Sequence, residues 1–172
     1  MTGDELRALQ APLKTKYRDD AASALRTLVA RGRITQESIT CTIETGKPGI
    51  PIGLHPAGGG NDTVACSAEV LLEALVGCAG VTLAAVATSM GIALASAMVT
   101  AEGDLDFRGT LGVSHDVPVG FKAIRLRLEV DTDAPLEKLQ KLAALTERYC
   151  VVAQTIKTGV AIETRLISAR DA

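Results

Sequence analysis

Hydrophobic and polar positions divide the chain into a few long elements. The longest apolar stretch, 69–90, reads EVLLEALVGCAGVTLAAVATSM. Its length and spacing predict a helix that begins near Ser67 and ends near Gly91. Over 122–132, apolar and charged residues alternate at every second position, which predicts a strand with one buried face. These two elements are the clearest in the sequence.

The same patterns place the remaining elements. Alternation predicts further strands over 34–46, 97–109 and 159–167, and helical spacing predicts helices over 135–149 and 150–157. Strands that are grouped around one long helix are typical of an α+β fold. We therefore expect an antiparallel sheet that wraps on a long central apolar helix.

The N-terminal region has a different pattern. Residues 4–32 predict one or two helices, interrupted at Pro12, with Asp19 and Asp20 capping a second helix that ends at Gly32. We therefore divide the chain into an N-terminal helical segment, 1–34, and a main domain, 35–172. The Gly- and Pro-rich stretch 46–63 predicts a loop, which either borders a pocket or only connects two elements.

Composition and charge narrow the class of protein. The 172 residues suit one domain, and 18 basic against 20 acidic residues leave no basic surface for nucleic acid. The apolar helix carries Glu69 and Glu73 in its first turns, and its uninterrupted core is shorter than the roughly 20 residues that a membrane span needs. With no signal peptide in view, we expect a cytoplasmic protein that does not enter a membrane.

The chain has four cysteines, Cys41, Cys66, Cys78 and Cys150. None forms a C-x-x-C pair or stands at a metal-ligand interval from a histidine, which argues against a zinc site. A fixed disulfide framework is not expected without a secretory signal. We expect no metal or other cofactor, so these cysteines are either inert core thiols or redox-active ones.

Two of the cysteine segments resemble a known family. VLLEALVGCAGVTLAAVATSMGI, around Cys78, and LTERYCVVAQTI, around Cys150, resemble the two cysteine motifs of the osmotically inducible protein C (OsmC) and organic hydroperoxide resistance family. The resemblance covers roughly 35–168, and it departs from the family at Val151, where proline is usual. It implies an intertwined homodimer with two active sites at the subunit interface.

The resemblance also implies a chemistry. The protein would be a thiol-dependent peroxidase acting on organic hydroperoxides or hydrogen peroxide, with Cys78 as the peroxidatic thiolate and Cys150 as the resolving thiol. An external dithiol would then reduce the disulfide. The alternative is a non-catalytic protein of the same fold that binds a small apolar ligand.

The residues themselves set conditions on that chemistry. Cys78 lies among apolar neighbours well inside its helix, where burial disfavours a thiolate and the helix dipole helps little. A cation must therefore come from elsewhere, and Arg18 is the candidate, with Arg148 as an alternative. Cys150 would stand at the start of a helix, where free N–H groups favour a thiolate.

Glu69 stands where many members of the family carry a glutamate. Nine residues separate it from Cys78, so a regular helix would turn the two side chains to opposite sides, about 13 Å apart along the axis. Either the first turn is bent, or Glu69 reaches the other subunit's site, or it only favours the start of the helix. Cys66 is expected to be structural, with a resolving role as the alternative.

Overall fold

A computed structural model of the protein describes residues 3–36, 40–43, 53–62 and 65–165. Within these ranges the helices are α1 (Gly3–Asp19), α2 (Ser67–Ser89), α3 (Phe107–Thr110), α4 (Leu136–Tyr149) and α5 (Val151–Thr158), and the strands are β1 (Leu25–Thr35), β2 (Thr40–Ile43), β3 (Ser96–Asp106) and β4 (Phe121–Asp131). Short 3-10 turns occur at Ala21–Ala24 and Pro56–Gly58.

The four strands form one sheet in the order β2-β1-β3-β4, and each neighbouring pair is antiparallel. The register aligns Leu25 with Asp106 at one end of β1 and Arg33 with Met98 at the other. β4 stands at the edge of the sheet in the described part of the chain, and its residues alternate between half-buried and exposed, as the sequence predicts. The α+β class and the antiparallel sheet are thereby confirmed.

The main core lies between this sheet and α2. Aliphatic residues on one face of α2 pack with the face of β3 that points toward the helix, and α4 and α5 close the other side. The fully buried members include Leu72, Val76, Leu83, Val99 and Leu142. α2 is therefore the central element of the fold, as its sequence predicts.

A second, smaller core lies beneath α1. Tyr17, Leu105, Phe107 and Leu111 pack there with small residues. The Tyr17 hydroxyl donates a hydrogen bond to the carbonyl of Ala57 at 2.8 Å. This bond ties α1 to the described part of the predicted loop, 53–62, which packs on the second core.

α2 is apolar on all sides, but its own chain covers only part of it. By length and composition it could cross a membrane, and 44% of its most apolar window is buried within the chain. Val70, Leu71 and Val81 remain exposed. A helix that is apolar all round is normally buried all round, so the described residues of one chain leave part of the surface of α2 without cover.

The N-terminal segment differs from its sequence prediction. α1 continues through Pro12 to Asp19, and Asp20 caps only the 3-10 turn that follows. The second predicted helix is wrong, because Leu25–Thr35 is strand β1, paired with β3 over most of its length. The boundary drawn at 34/35 falls inside β1, so the structure does not divide the chain there.

Three other element bounds are corrected. The strand predicted over 34–46 spans a turn, since β1 ends at Thr35 and β2 covers Thr40–Ile43, while 37–39 and 44–46 lie outside the described residues. β3 ends at Asp106, whose side chain accepts the N–H of Arg108 and starts α3. The strand predicted over 159–167 is absent from its described part, 159–165, which has no regular structure.

Candidate active site: a pair of thiols

The fold brings Cys78 and Cys150 together, although they lie 72 positions apart in the sequence. Cys78 is on α2 and Cys150 lies between α4 and α5, two helices that both pack against α2. The two residues pack in the same core, and Cys78 lies close enough to Cys150 to raise the pKa of its thiol. Both are free thiols, so the structure holds a close pair of cysteines in the reduced state.

Cys150 is held at a junction of two helices. α4 ends at Tyr149 and α5 begins at Val151, so Cys150 caps both helices, with φ −71° and ψ 106°. Its N–H donates to the carbonyl of Thr146, and its sulfur accepts the N–H of Ala153 at 3.4 Å. The exposed Val151 starts the helix, so proline is not required for α5 to form here.

The surroundings of Cys150 favour its neutral form. The residue is 0% exposed, and burial is the main reason that its pKa lies above the ordinary value of a thiol. The N–H of Ala153 works in the opposite direction, and the adjacent Cys78 side chain raises the pKa further. The predicted helix start is present, but the burial of the sulfur outweighs its stabilisation of a thiolate.

Cys78 is only half buried. It follows Leu71 and Leu75 along one side of α2, on the border between the buried face and the uncovered one. Its backbone carbonyl accepts a hydrogen bond from the Thr82 hydroxyl at 2.7 Å. Of the two sulfurs, Cys78 is thus the one that a substrate from solvent reaches first.

An apolar groove approaches the thiol pair. It has a volume of about 1210 Å³ and runs between the inner face of β4 and helices α2, α4 and α5. Leu75, one turn before Cys78, and Ala153, whose N–H contacts Cys150, are among its lining residues. Lys122, Arg127 and Lys157 also line it. None of the described residues of the predicted loop, 53–62, lines this groove. Its walls come from four separate elements, so no single stretch of the sequence indicates it.

Glu69 is engaged at the start of its own helix. Its carboxylate accepts the N–H of Cys66 at 2.9 Å, and the sulfur of Cys66 accepts the N–H of Glu69. This reciprocal arrangement is a capping box. Because α2 is regular from Ser67 onward, Glu69 does not reach the Cys78 of its own chain, and a role at another subunit's site stays a prediction.

Cys66 is a structural thiol in this arrangement. It is buried at the N-cap of α2, and burial raises its pKa. Twelve helical positions place it about 18 Å from Cys78 along the axis. A disulfide needs Cα atoms within about 7 Å, so Cys66 cannot resolve Cys78 within one chain.

The two arginines proposed to activate Cys78 are both exposed. Arg18 is exposed in the last turn of α1, a helix that packs on the second core. Arg148 is in the last turn of α4, with its guanidinium over the ring of Tyr149 at 5.6 Å. Their catalytic roles stay predictions. In the described ranges, no group of three or more His, Cys, Asp or Glu residues could hold a metal ion.

Comparisons with known proteins give the family and the fold of the chain. The family model described as OsmC-like protein matches residues 60–165, so the chain belongs to the OsmC-like protein family. Among solved structures, an OsmC-like hydroperoxide resistance protein from Jannaschia sp. CCS1 is similar, with a TM-score of 0.62 at 15% identity. The match covers 85% of this chain and 95% of that one. At that identity, the similarity establishes only the fold. The sequence matches no curated protein.

Proposed function

We propose that this protein is a thiol-dependent peroxidase that reduces hydroperoxides through Cys78 and Cys150. One observation carries the proposal: a half-buried thiol and a fully buried thiol are neighbours in the same core of the OsmC-like fold. The more accessible thiol, Cys78, can meet the oxidant. The buried thiol, Cys150, is already in place to react with the sulfenic acid that forms. The name of the Jannaschia protein, a hydroperoxide resistance protein, supports the same class of substrate.

The reaction proceeds in two steps that need no bound cofactor. The Cys78 thiolate attacks the distal oxygen of the peroxide, the O–O bond breaks, and the alkoxide leaves as an alcohol after taking a proton from water. Cys78 is then a sulfenic acid. Cys150 attacks its sulfur, a disulfide forms and water is released. An external dithiol returns the pair to two thiols by disulfide exchange, which suits the cytoplasmic location expected from the sequence.

The groove favours organic hydroperoxides over hydrogen peroxide. Aliphatic and small apolar residues of α2, β4 and α5 form the walls of the groove as far as the neighbourhood of the thiols. An apolar substituent gains about 25 cal/mol for each Å² that it buries, whereas hydrogen peroxide has no such group. Cumene hydroperoxide should therefore react at lower concentration than hydrogen peroxide.

The test is a titration of the reduced protein with cumene hydroperoxide. We expect two thiols to be lost per peroxide, and peptide mapping to find a Cys78–Cys150 disulfide. Cys78→Ser should abolish the reaction, while Cys66→Ser, which keeps a good N-cap residue, serves as the control and should react as the native protein does. Slow thiol loss that Cys78→Ser leaves unchanged would contradict the peroxidase.

The same groove supports one rival function, the binding of a small apolar ligand without catalysis. Its volume of about 1210 Å³ is somewhat larger than the roughly 300–1,000 Å³ of typical ligand pockets. The two functions differ in their dependence on sulfur. A binder would take up an apolar fluorescent probe equally well in Cys78→Ser and Cys150→Ser, and would form no disulfide with peroxide.

We also propose that two copies of the chain form the active unit. The uncovered apolar side of α2 supports this, because Cys78 lies at its border and a second copy packed there would help to enclose the thiols. The segment 159–165 supports it as well: Val160 is 63% exposed and Ile162 is 88% exposed. Pairing of this segment with the β4 edge of the other copy would give an intertwined homodimer.

Light scattering during size-exclusion chromatography tests the assembly. The expected mass is twice the chain mass of 17.9 kDa at micromolar concentration. A mass of one chain in aqueous buffer would contradict the dimer. A protein that stays in solution only with detergent would instead indicate that α2 meets a membrane.

A further inference from the structure

Two polar contacts join α5 to α4 across the junction that holds Cys150, and both end on Glu147. The side-chain amide of Gln154 donates a hydrogen bond to the carbonyl of Glu147 at 2.8 Å, and the Lys157 ammonium donates one to its carboxylate at 2.6 Å. We propose that this clamp of three residues positions the Cys150 sulfur for disulfide formation with Cys78. The inference rests on the proposed function, because it concerns the second step of that reaction.

The clamp lies directly beside the junction. Gln154 and Lys157 share one face of α5, since residues three apart on a helix are neighbours. Glu147 precedes Cys150 in the last turn of α4, where the final carbonyls of a helix have no partner within it. Gln154 supplies a donor for one of these carbonyls from the next helix. The angle between the two helices is therefore fixed close to Cys150.

This angle determines where the Cys150 sulfur lies. The N–H of Cys150 is bound to α4 through the carbonyl of Thr146, whereas its sulfur accepts the N–H of Ala153 in the first turn of α5 at 3.4 Å. A rotation of α5 against α4 would therefore move the partner of the sulfur. Disulfide geometry is narrow, with Cα atoms within about 7 Å and a Cβ–S–S–Cβ angle of about 90°.

α5 depends on such contacts because its packing is slight. It has eight residues, none of them buried, and a helix of that length is not stable alone. Val152 and Ala153, at its start, pack against the main core, whereas Ile156 near its end is 36% exposed. Segments with few buried contacts open at a low cost in free energy. The clamp therefore acts where packing holds α5 least.

The proposal separates the two chemical steps. The first uses only the Cys78 sulfur and the peroxide. In the second, Cys150 attacks the sulfur of the sulfenic acid, the S–S bond forms and the S–O bond breaks, and the hydroxyl leaves as water with the proton of Cys150. A well-placed Cys150 shortens the lifetime of the sulfenic acid and so limits its further oxidation to sulfinic acid.

The test measures each step by rapid quenching and intact mass spectrometry after addition of cumene hydroperoxide. The sulfenic acid adds an oxygen atom, and the disulfide lacks two hydrogen atoms relative to the reduced protein. Gln154→Ala should form the sulfenic acid at the native rate. In both Gln154→Ala and Lys157→Met, the disulfide should form roughly two- to tenfold more slowly. Lys138→Met, the same substitution at the other end of α4, is the control and should change neither rate.

Reversal of the charges tests the ion pair itself. Lys157→Glu places a like charge against Glu147 and should also slow disulfide formation, and the added Glu147→Lys should restore the rate toward the native value. Failure of this double variant to recover would overturn the proposal. Native or faster disulfide formation in Gln154→Ala and Lys157→Met would overturn it too, as would an equal slowing of both steps in Gln154→Ala.

A peroxide-free oxidant makes the test independent of the peroxidase. Absence of sulfenic acid in the native protein would contradict the proposed function. Diamide can still form the disulfide, since Cys150 displaces the reduced reagent from its adduct with Cys78. Gln154→Ala and Lys157→Met should then be slower than Lys138→Met, and equal rates would overturn the clamp.

Discussion

The role of Glu69 can be decided by two substitutions at one position. In the structure, its carboxylate accepts the N–H of Cys66 at 2.9 Å and closes the capping box of α2. Glu69→Ala removes both the acceptor and the charge. Glu69→Gln keeps an acceptor oxygen of the same reach and removes only the charge.

The structure sets the size of the expected effects. Loss of a side-chain cap costs about 0.5–2 kcal/mol, and a charge in the first turn of a helix contributes about 0.3–1 kcal/mol. For a chain of this length, 1 kcal/mol lowers Tm by roughly 2–4 °C. Glu69→Ala, which loses both contributions, should therefore lower Tm by roughly 2–12 °C, and Glu69→Gln, which loses only the charge, by roughly 1–4 °C.

Thermal unfolding and peroxide kinetics together separate a structural role from a catalytic one. If Glu69 is only a cap, Glu69→Gln should form the Cys78 sulfenic acid at the native rate. Glu73→Ala is the matched control, since Glu73 lies one turn beyond the cap on the same helix. It should change neither Tm nor the rate by much.

Two results would contradict the conclusion that Glu69 is only a cap. The first is a stability of Glu69→Ala equal to that of Glu73→Ala. The second is a large loss of rate in Glu69→Gln at unchanged stability, since that would assign Glu69 to the thiol chemistry of another subunit.

Three further predictions follow from single contacts. Asp106 is buried, and its ion pair with Arg108 lowers the pKa of its carboxyl in the folded protein. The ionised carboxylate therefore stabilises the fold at pH values above its unfolded pKa. This stabilisation is lost as the pH falls through the lower pKa of the folded state. Asp106→Asn should lower the free energy of unfolding by about 1.5–3 kcal/mol at pH 7 and by less near pH 2. Urea unfolding at both pH values measures this, and an equal loss at the two values would contradict the ion pair. Tyr17→Phe leaves the carbonyl of Ala57 without its donor and should cost about 1–3 kcal/mol by urea unfolding, whereas an unchanged midpoint would show that water replaces the hydroxyl. Val151→Pro should raise the free energy of unfolding by about 0.4–1 kcal/mol, because the first position of a helix accepts proline. The residue before it, Cys150, already has the extended backbone that a following proline requires. A lower Tm would contradict this.

Much of the fold could be predicted because the pattern of apolar residues in the longest elements matches the secondary structure that those elements form. α2 stands out by its length and apolar composition, and β4 and α4 each have one clear period of apolar residues. β1 was predicted as a helix because 21–32 is rich in Ala, Leu and Arg, which favour helices locally. Its pairing with β3 overrides that preference, and a single sequence contains no direct signal for such a long-range pairing.

The site was predictable only in part for a similar reason. Apolar spacing identified the helix around Cys78, and family resemblance paired Cys78 with Cys150. Neither could give the burial of Cys150, since that depends on how α4 and α5 pack on α2. The capping role of Glu69 was among the alternatives, but it required the position of the Cys66 N–H to be known.

The uncovered side of α2 links folding to the amount of protein present. If a second copy covers the rest of α2, dilution separates the two copies and exposes that surface. The free energy of unfolding then depends on protein concentration. Tm should rise with each increase in protein concentration, and a substitution such as Val81→Asp should weaken the protein most in dilute solution. The quantity of the protein that a cell makes would then help to determine whether it is folded at all.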